Sequence, residues 1–155
     1  RGMLFTLRPL VLETQGLGPA IETVIGRLRE SDGMNIKLTG GENGQLLNEQ
    51  AQSVVFAIVE EALGNARKYA RATEIDVRLW QEENLFVAQV QDYGVGFDLE
   101  DVNRDYSSRG SLGMINMRER AERIDGNCRV EAIPGRGTTI TIVVPLEKQG
   151  RGGAL

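Results

Sequence analysis

The sequence predicts an α+β fold, a two-layer α/β sandwich in which helices cover one face of a mixed, mostly antiparallel sheet. Three observations predict it. Hydrophobic periodicity runs along the chain in the order helix, strand, helix, strand, strand, loop, helix, strand, strand. Two strand pairs are joined by turns too short for a crossover helix, Glu82-Glu83-Asn84 and Pro134-Gly135-Arg136-Gly137, so those neighbours read as hairpins. The 155 residues, 41% of them hydrophobic and 26% charged, suffice for one domain with a real core and not for two.

Taken in order, residues 1–15 begin with a short apolar piece broken by Pro9 and read as the tail of an upstream element. Gly16-Leu17-Gly18-Pro19 opens a helix, with Pro19 suited to a first turn where a missing N–H is harmless. Ile21, Val24, Ile25 and Leu28 recur at i, i+3, i+4 and i+7, and Asp32-Gly33 ends that helix. Met34, Ile36 and Leu38 alternate with polar residues, a half-buried strand closed by Gly40-Gly41. A loop over 42–47 leads into a long helix from about Asn48 to Arg71. Thr73–Trp80 alternates Ile75, Val77 and Leu79 against Asp76 and Arg78, while Leu85–Gln91 is more uniformly apolar and belongs inside the sheet. Asp92–Arg109 has no periodicity and reads as a loop of functional length. Leu112–Asp125 returns to helical spacing through Leu112, Ile115, Met117, Ala121 and Ile124, ended by Gly126. Cys128–Ile133 and Thr138–Pro145 form the last hairpin, and 149–155 reads as a disordered tail.

Composition excludes several classes of function. A formal charge of -4 with no basic run gives no attraction to nucleic acid or to an anionic membrane. No run approaches 18 apolar residues, so no transmembrane helix is expected. One cysteine, Cys128, excludes an internal disulfide and a cysteine metal cluster, and it fits a reducing cytoplasm. The chain holds no histidine, which removes histidine bases, histidine metal sites and any histidine phosphoacceptor.

The chemistry gathers around the long helix. At about 100° per residue, with Glu61 as zero, Asn65 falls near ~40° and Lys68 near ~340°. A carboxylate, an amide and an ammonium thus share one narrow face. Val55, Val59, Ala62, Leu63 and Ala66 fill the adjoining arc as an apolar stripe that wants a core, and Glu60, Arg67 and Arg71 lie beyond it. Read alone, the helix also fits a surface ion pair of Glu61 with Lys68 or Arg67. Downstream, Asp92-Tyr93-Gly94-Val95-Gly96-Phe97 follows a buried strand directly. A carboxylate there can accept from an exocyclic amine while the glycines let backbone close on a flat ring, although a plain capped turn fits as well. Gly110-Ser111-Leu112-Gly113 opens a helix whose free N–H groups favour an anion such as phosphate. Gly135-Arg136-Gly137-Thr138-Thr139 alone is a hairpin.

Their order and spacing say more. A helix carrying Glu-x-x-x-Asn-x-x-Lys, then Asp-x-Gly-x-Gly-Phe, then Gly-x-x-Gly at a helix start, then Gly-x-Gly-Thr before a last strand resembles the GHKL ATPase superfamily, with its Bergerat fold. No GxxxxGK[ST] occurs, so this is not a P-loop protein. Within the superfamily the chain is similar to the catalytic ATP-binding (HATPase) domain of bacterial two-component sensor histidine kinases that pair with NarL-type response regulators. The Leu7-Arg8-Pro9-Leu10 segment before a GL-x-x-A-I helix, the short loop between Phe97 and Gly110, and Gly113-Met114-Ile115-Asn116-Met117-Arg118-Glu119-Arg120-Ala121 carry that likeness.

The resemblance implies roles. Asn65 would hold Mg²⁺ through its side-chain oxygen, Lys68 would neutralise phosphate charge, and Glu61 matches the acidic residue that polarises the incoming nucleophile. Asp92 would accept from the adenine amine, with Thr138 supporting it through a water, and Gly94 and Gly96 would shape the adenine pocket. Gly110 and Gly113 would hinge the lid and present N–H groups to the phosphates, with Ser111 and Leu112 between them in the nucleotide-binding segment. Arg109 at the lid's end could reach the γ-phosphate, but it reads first as an ordinary solvated arginine. The sequence departs from the family at Tyr69 (often His), Ser111 (often His or Gly), Gly64 (often Thr or Asn) and Tyr93 (usually Asn or Asp).

The domain expectation is then a tail of the upstream dimerisation region over 1–15, the catalytic domain over 16–148 and the disordered tail over 149–155. The expected partners of an excised, cytoplasmic, monomeric domain are Mg·ATP, the histidine-bearing dimerisation domain of the same full-length protein and a response regulator, with no nucleic acid or membrane contact. An anti-sigma serine kinase of the same superfamily and a non-catalytic nucleotide-binding module are the alternatives.

Overall fold

The computed structural model describes residues 9–68, 73–94 and 109–146, with the backbone alone over 109–114. The upstream tail before Pro9, Tyr69, Arg71, Gly96, most of the loop expected over 92–109 and the tail expected over 149–155 lie outside the described residues. The elements follow in the order α1 (Leu10–Gln15), α2 (Leu17–Asp32), β1 (Asn35–Thr39), a 3₁₀ turn (Gly41–Leu46), α3 (Glu49–Lys68), β2 (Glu74–Glu82), β3 (Leu85–Asp92), α4 (Arg109–Glu122), β4 (Asn127–Ile133) and β5 (Gly137–Pro145).

Five strands form one sheet in the order β1-β2-β3-β5-β4. The two hairpins supply the antiparallel pairs β2–β3 and β4–β5, and β5 also pairs antiparallel with β3. Only β1 and β2 pair in parallel. Their connection is the long helix α3, as a parallel pair requires. The expected mixed, mostly antiparallel sheet is thus the one observed, and the apolar strand Leu85–Gln91 is its central member.

Alternation sets the two faces. Ile75, Val77 and Leu79 on β2 stand opposite Asp92, Val90 and Ala88 on β3, which in turn face Thr138, Ile140 and Ile142 on β5. These side chains are buried, and α2, α3 and α4 pack over them as one layer, with α3 between the other two. The opposite face carries Asp76, Arg78, Gln89, Thr141 and Arg129 in cross-strand rows. The edge strand β1 is blunted by α2, whose Arg29 guanidinium donates to the Ile36 carbonyl.

Two boundaries differ from the sequence reading. Leu10–Gln15 is a helix docked on α2 and α3, and Leu12, 3% exposed, sits in the core, so the packed body begins before Gly16. Six residues are too few to show a helical period, which is why the segment read only as a tail. The last helix starts at Arg109 rather than Leu112, and its final expected turn, 123–125, is a hydrogen-bonded turn instead.

Gly64 lies inside α3 with open space where a Cβ would be, among the described residues, and its backbone is not in the left-handed region. Gly64→Ala should therefore raise the unfolding free energy by about 1 kcal/mol, the helix-propensity difference between the two residues. A denaturant midpoint that falls instead would mean that this surface is covered.

Candidate functional site

Asp92 is the last residue of β3, and its position in the sheet decides its environment. Strand alternation turns it to the helix-covered side, where it is 6% exposed. Register places it between Ile75 on β2 and Thr138 on β5. Its Oδ1 accepts hydrogen bonds from the Gly94 N–H at 3.0 Å and the Thr138 N–H at 3.2 Å. Both bonds fall on the same oxygen, so Oδ2 has no donor among the described residues. Burial pushes the carboxyl above its ordinary pKa, and the two N–H donors pull it part of the way back.

Thr138 completes this corner. Its hydroxyl Oγ1 is fully buried and, like Ser53 Oγ on α3, has no hydrogen-bond partner among the described residues. Buried polar atoms nearly always have one, so this hydroxyl beside a carboxylate has capacity left for a polar group or a water. An acceptor with a spare oxygen and a buried hydroxyl suit the exocyclic amine of a purine together with a bridging water. The Thr138 backbone contributes as much as its side chain, a role visible only once β3 and β5 are in register.

The hairpin glycine ahead of Thr138 is fixed by the same corner. Gly137 has φ +122°, and a Cβ there would run into the Asp92 carbonyl oxygen and approach the Tyr93 Cα. The backbones of β3's end and β5's start touch at this point, which only glycine allows.

On α3 the stripe expected to be apolar is buried throughout: Val55, Val59, Ala62, Leu63 and Ala66 all lie in the core. Asn65 is half-buried at the margin of that stripe, and Glu61 and Lys68 are exposed on the same side of the helix. The surface pair of Glu61 with Lys68 or Arg67 is absent among the described residues. Arg67 instead reaches Asp32 at the end of α2, Nε to Oδ2 3.5 Å. That leaves the three polar groups of this face without an ion-pair partner among the described residues.

Gly94 is described as the residue whose N–H closes onto Asp92, while Gly96 lies outside the described residues. Gly110, Ser111, Leu112 and Gly113 all fall within the first turns of α4, since the helix begins at Arg109. The N–H groups free of intrahelical acceptors are accordingly those nearest Gly110 and Ser111, and those of Leu112 and Gly113 enter the helix ladder. Cys128 is buried in the core, and burial pushes its thiol up to about 11, which keeps it in the unreactive protonated form at neutral pH.

The family model described as histidine kinase-, DNA gyrase B- and HSP90-like ATPase matches residues 50–148. An uncharacterized sensor-like histidine kinase of Chloroflexus aurantiacus is 41% identical over 150 residues, covering 95% of this chain and 25% of that protein. The oxygen sensor histidine kinase NreB of Staphylococcus carnosus is 34% identical over 146 residues, covering 94% of this chain and 41% of that one. The chain thus spans between a quarter and about two fifths of these curated relatives. Among solved structures, the histidine kinase domain of a blue-light activated histidine kinase from Erythrobacter litoralis superimposes with a TM-score of 0.66 at 22% identity, covering 87% of this chain and 63% of that one. That likeness concerns the fold.

Proposed function

This chain belongs to the histidine kinase-, DNA gyrase B- and HSP90-like ATPase family, as an ATP-binding catalytic domain of the sensor histidine kinase type, and we propose that it binds Mg·ATP at the corner of Asp92 and Thr138 and donates the γ-phosphate to a histidine on a dimerisation domain. The acceptor has to lie outside this sequence, which holds no histidine. The relay then passes to a response regulator, of the NarL type by the subfamily signature, in the cytoplasm.

The observation that carries this reading is the pair of polar atoms without a hydrogen-bond partner among the described residues, Asp92 Oδ2 and Thr138 Oγ1, at the end of a buried strand. Asp92 accepts from the adenine amine, Thr138 binds through a water, and Gly94 and Gly96 leave room for the ring. The N–H groups around Gly110 and Ser111 at the start of α4 receive phosphate oxygens, with Leu112 and Gly113 shaping that turn. Lys68 places a cation against the phosphates. Asn65 offers Mg²⁺ a neutral oxygen ligand, and the metal supplies charge neutralisation on the transferring group. Glu61 orients the incoming imidazole or a water. Phosphoryl transfer needs mostly positioning and charge stabilisation, so a set without a nucleophile of its own is sufficient.

The test is calorimetric titration of ATP and ADP with and without Mg²⁺, followed by phosphotransfer to the separately produced dimerisation domain. Asn65→Ala should retain metal-free nucleotide affinity and lose the gain from Mg²⁺, with phosphotransfer down roughly 10–100-fold. If the unaltered domain binds no adenine nucleotide under any metal condition, the assignment falls and only the fold stands.

A further inference from the structure

Tyr93 is where the family usually has Asn or Asp, and its side chain does not enter the site. Alternation turns it to the opposite face from Asp92, where it is 47% exposed and lies outside the core of the described residues. It is nevertheless tied down twice. Its N–H donates to the Glu74 carbonyl at 3.2 Å, extending the β2–β3 pairing by one residue. Its hydroxyl donates to Asp76 Oδ2 at 3.0 Å, a diagonal cross-strand contact. Asp76 in turn sits 3.5 Å from the Arg78 guanidinium on the same face of β2.

The position of this tether matters because of what Tyr93 lies between. The Asp92 carboxylate and the Gly94 N–H that bonds to it form a small side-chain-to-backbone turn, and the backbone of residue 93 is the middle of that turn. Rotation at Tyr93 swings the Gly94 N–H away from Oδ1. A carboxylate released on that side is free to turn, and its spare oxygen loses its direction. From these contacts we infer that the Tyr93 hydroxyl, held by Asp76, is a positioning group for adenine recognition, fixing from the outer face the turn that aims Asp92. This rests on the adenine reading of Asp92. It gives the departure from Asn or Asp a physical account: a short side chain at 93 does not span to the next strand, whereas a tyrosine does.

The consequence is a change in base selectivity, not only in affinity. Inosine triphosphate carries a carbonyl oxygen where ATP carries the exocyclic amine, so it gains nothing from a carboxylate aimed there. Titrations of Mg·ATP and Mg·ITP against the unaltered chain, Tyr93→Phe, Asp76→Ala, the double variant and Asp92→Ala separate the possibilities, with denaturant midpoints as a check on folding. Tyr93→Phe and Asp76→Ala should each weaken ATP roughly three- to tenfold, the effect of one hydrogen bond to a charged or neutral partner, and leave ITP nearly unchanged. The double variant should be no worse than either single one, because both remove the same bond. Equal weakening of both nucleotides by Tyr93→Phe, or no weakening of ATP, overturns the tether. Asp92→Ala identifies which claim has failed: if it collapses the ATP:ITP ratio while Tyr93→Phe does not, the tether alone is wrong. If Asp92→Ala also leaves the ratio intact, the adenine reading fails and the tether falls with it.

Discussion

Gly137→Ala should distort the corner of Asp92 and Thr138 and lower the melting temperature by roughly 10 °C, an effect larger than its size suggests. Two costs combine. A backbone at φ +122° disfavours any side chain, at about 1–3 kcal/mol. The new methyl group would also run into the Asp92 carbonyl, a backbone atom at the end of β3 held by pairing to both neighbouring strands, which cannot yield cheaply. Because the displaced residue is Asp92 itself, adenine affinity is expected to disappear along with about 3 kcal/mol of stability. Gly135→Ala is the matched control. It also has a positive φ, at +81°, but nothing lies within contact of its Cβ among the described residues, so only the backbone penalty of about 1 kcal/mol remains. A thermal melt and an ATP titration on both variants decide the point. Equal, small shifts for the two glycines would show that β3 and β5 do not touch as described.

The architecture was legible in the sequence wherever a periodic run was long enough to carry a phase. The α3 stripe from Val55 to Ala66 and the alternation of Ile75, Val77 and Leu79 both fix a buried face, and the structure buries those residues. The two hairpins followed from their turns. What stayed hidden involves pairs distant in sequence. Nothing local says that β5 lies against β3, so neither the Thr138 N–H on Asp92 nor the collision reserved for Gly137 was visible, although both lie within motifs that were picked out. The turn at Glu83 shows the same limit. Glu83 takes φ +55° with an Asn beside it that would accept that conformation more readily, so composition located the turn without its geometry. Arg67 lies toward solvent as its helical phase predicts, but its partner is Asp32 at the end of α2 and not Glu61, because helix neighbours in space are invisible along one chain.

Asp92→Asn should make the nucleotide-free protein no less stable at neutral pH while removing most of its affinity for ATP. The sign follows from the raised pKa. Burial disfavours the carboxylate in the folded state, so the folded protein holds its proton to higher pH than the unfolded chain, whose Asp titrates near the ordinary value of 3.8. Above that value the unfolded state has already released its proton, and the stability contributed by the buried carboxyl falls as pH rises through the folded-state pKa. An asparagine keeps an oxygen for the Gly94 and Thr138 N–H groups and carries no charge to desolvate, so this pH-linked loss vanishes. Binding moves the other way. The amide presents N–H₂ where Oδ2 stood, donor against donor for the adenine amine, and the affinity for ATP should drop by roughly 100-fold, the scale of a site left with a polar group unpaired. A 6-oxo purine meets that amide with an acceptor and should be favoured over ATP in the variant. Affinity of the unaltered protein should fall as the medium is acidified through the raised pKa, since protonation weakens the acceptor and puts an O–H donor on the spare oxygen that faces the amine. Chemical denaturation of both forms across pH, beside ATP and ITP titrations at the same values, tests stability and recognition together. A variant that lost ATP and stability in parallel would mean that Asp92 is a structural residue of the sheet end, and that the carboxylate was never held there for a base.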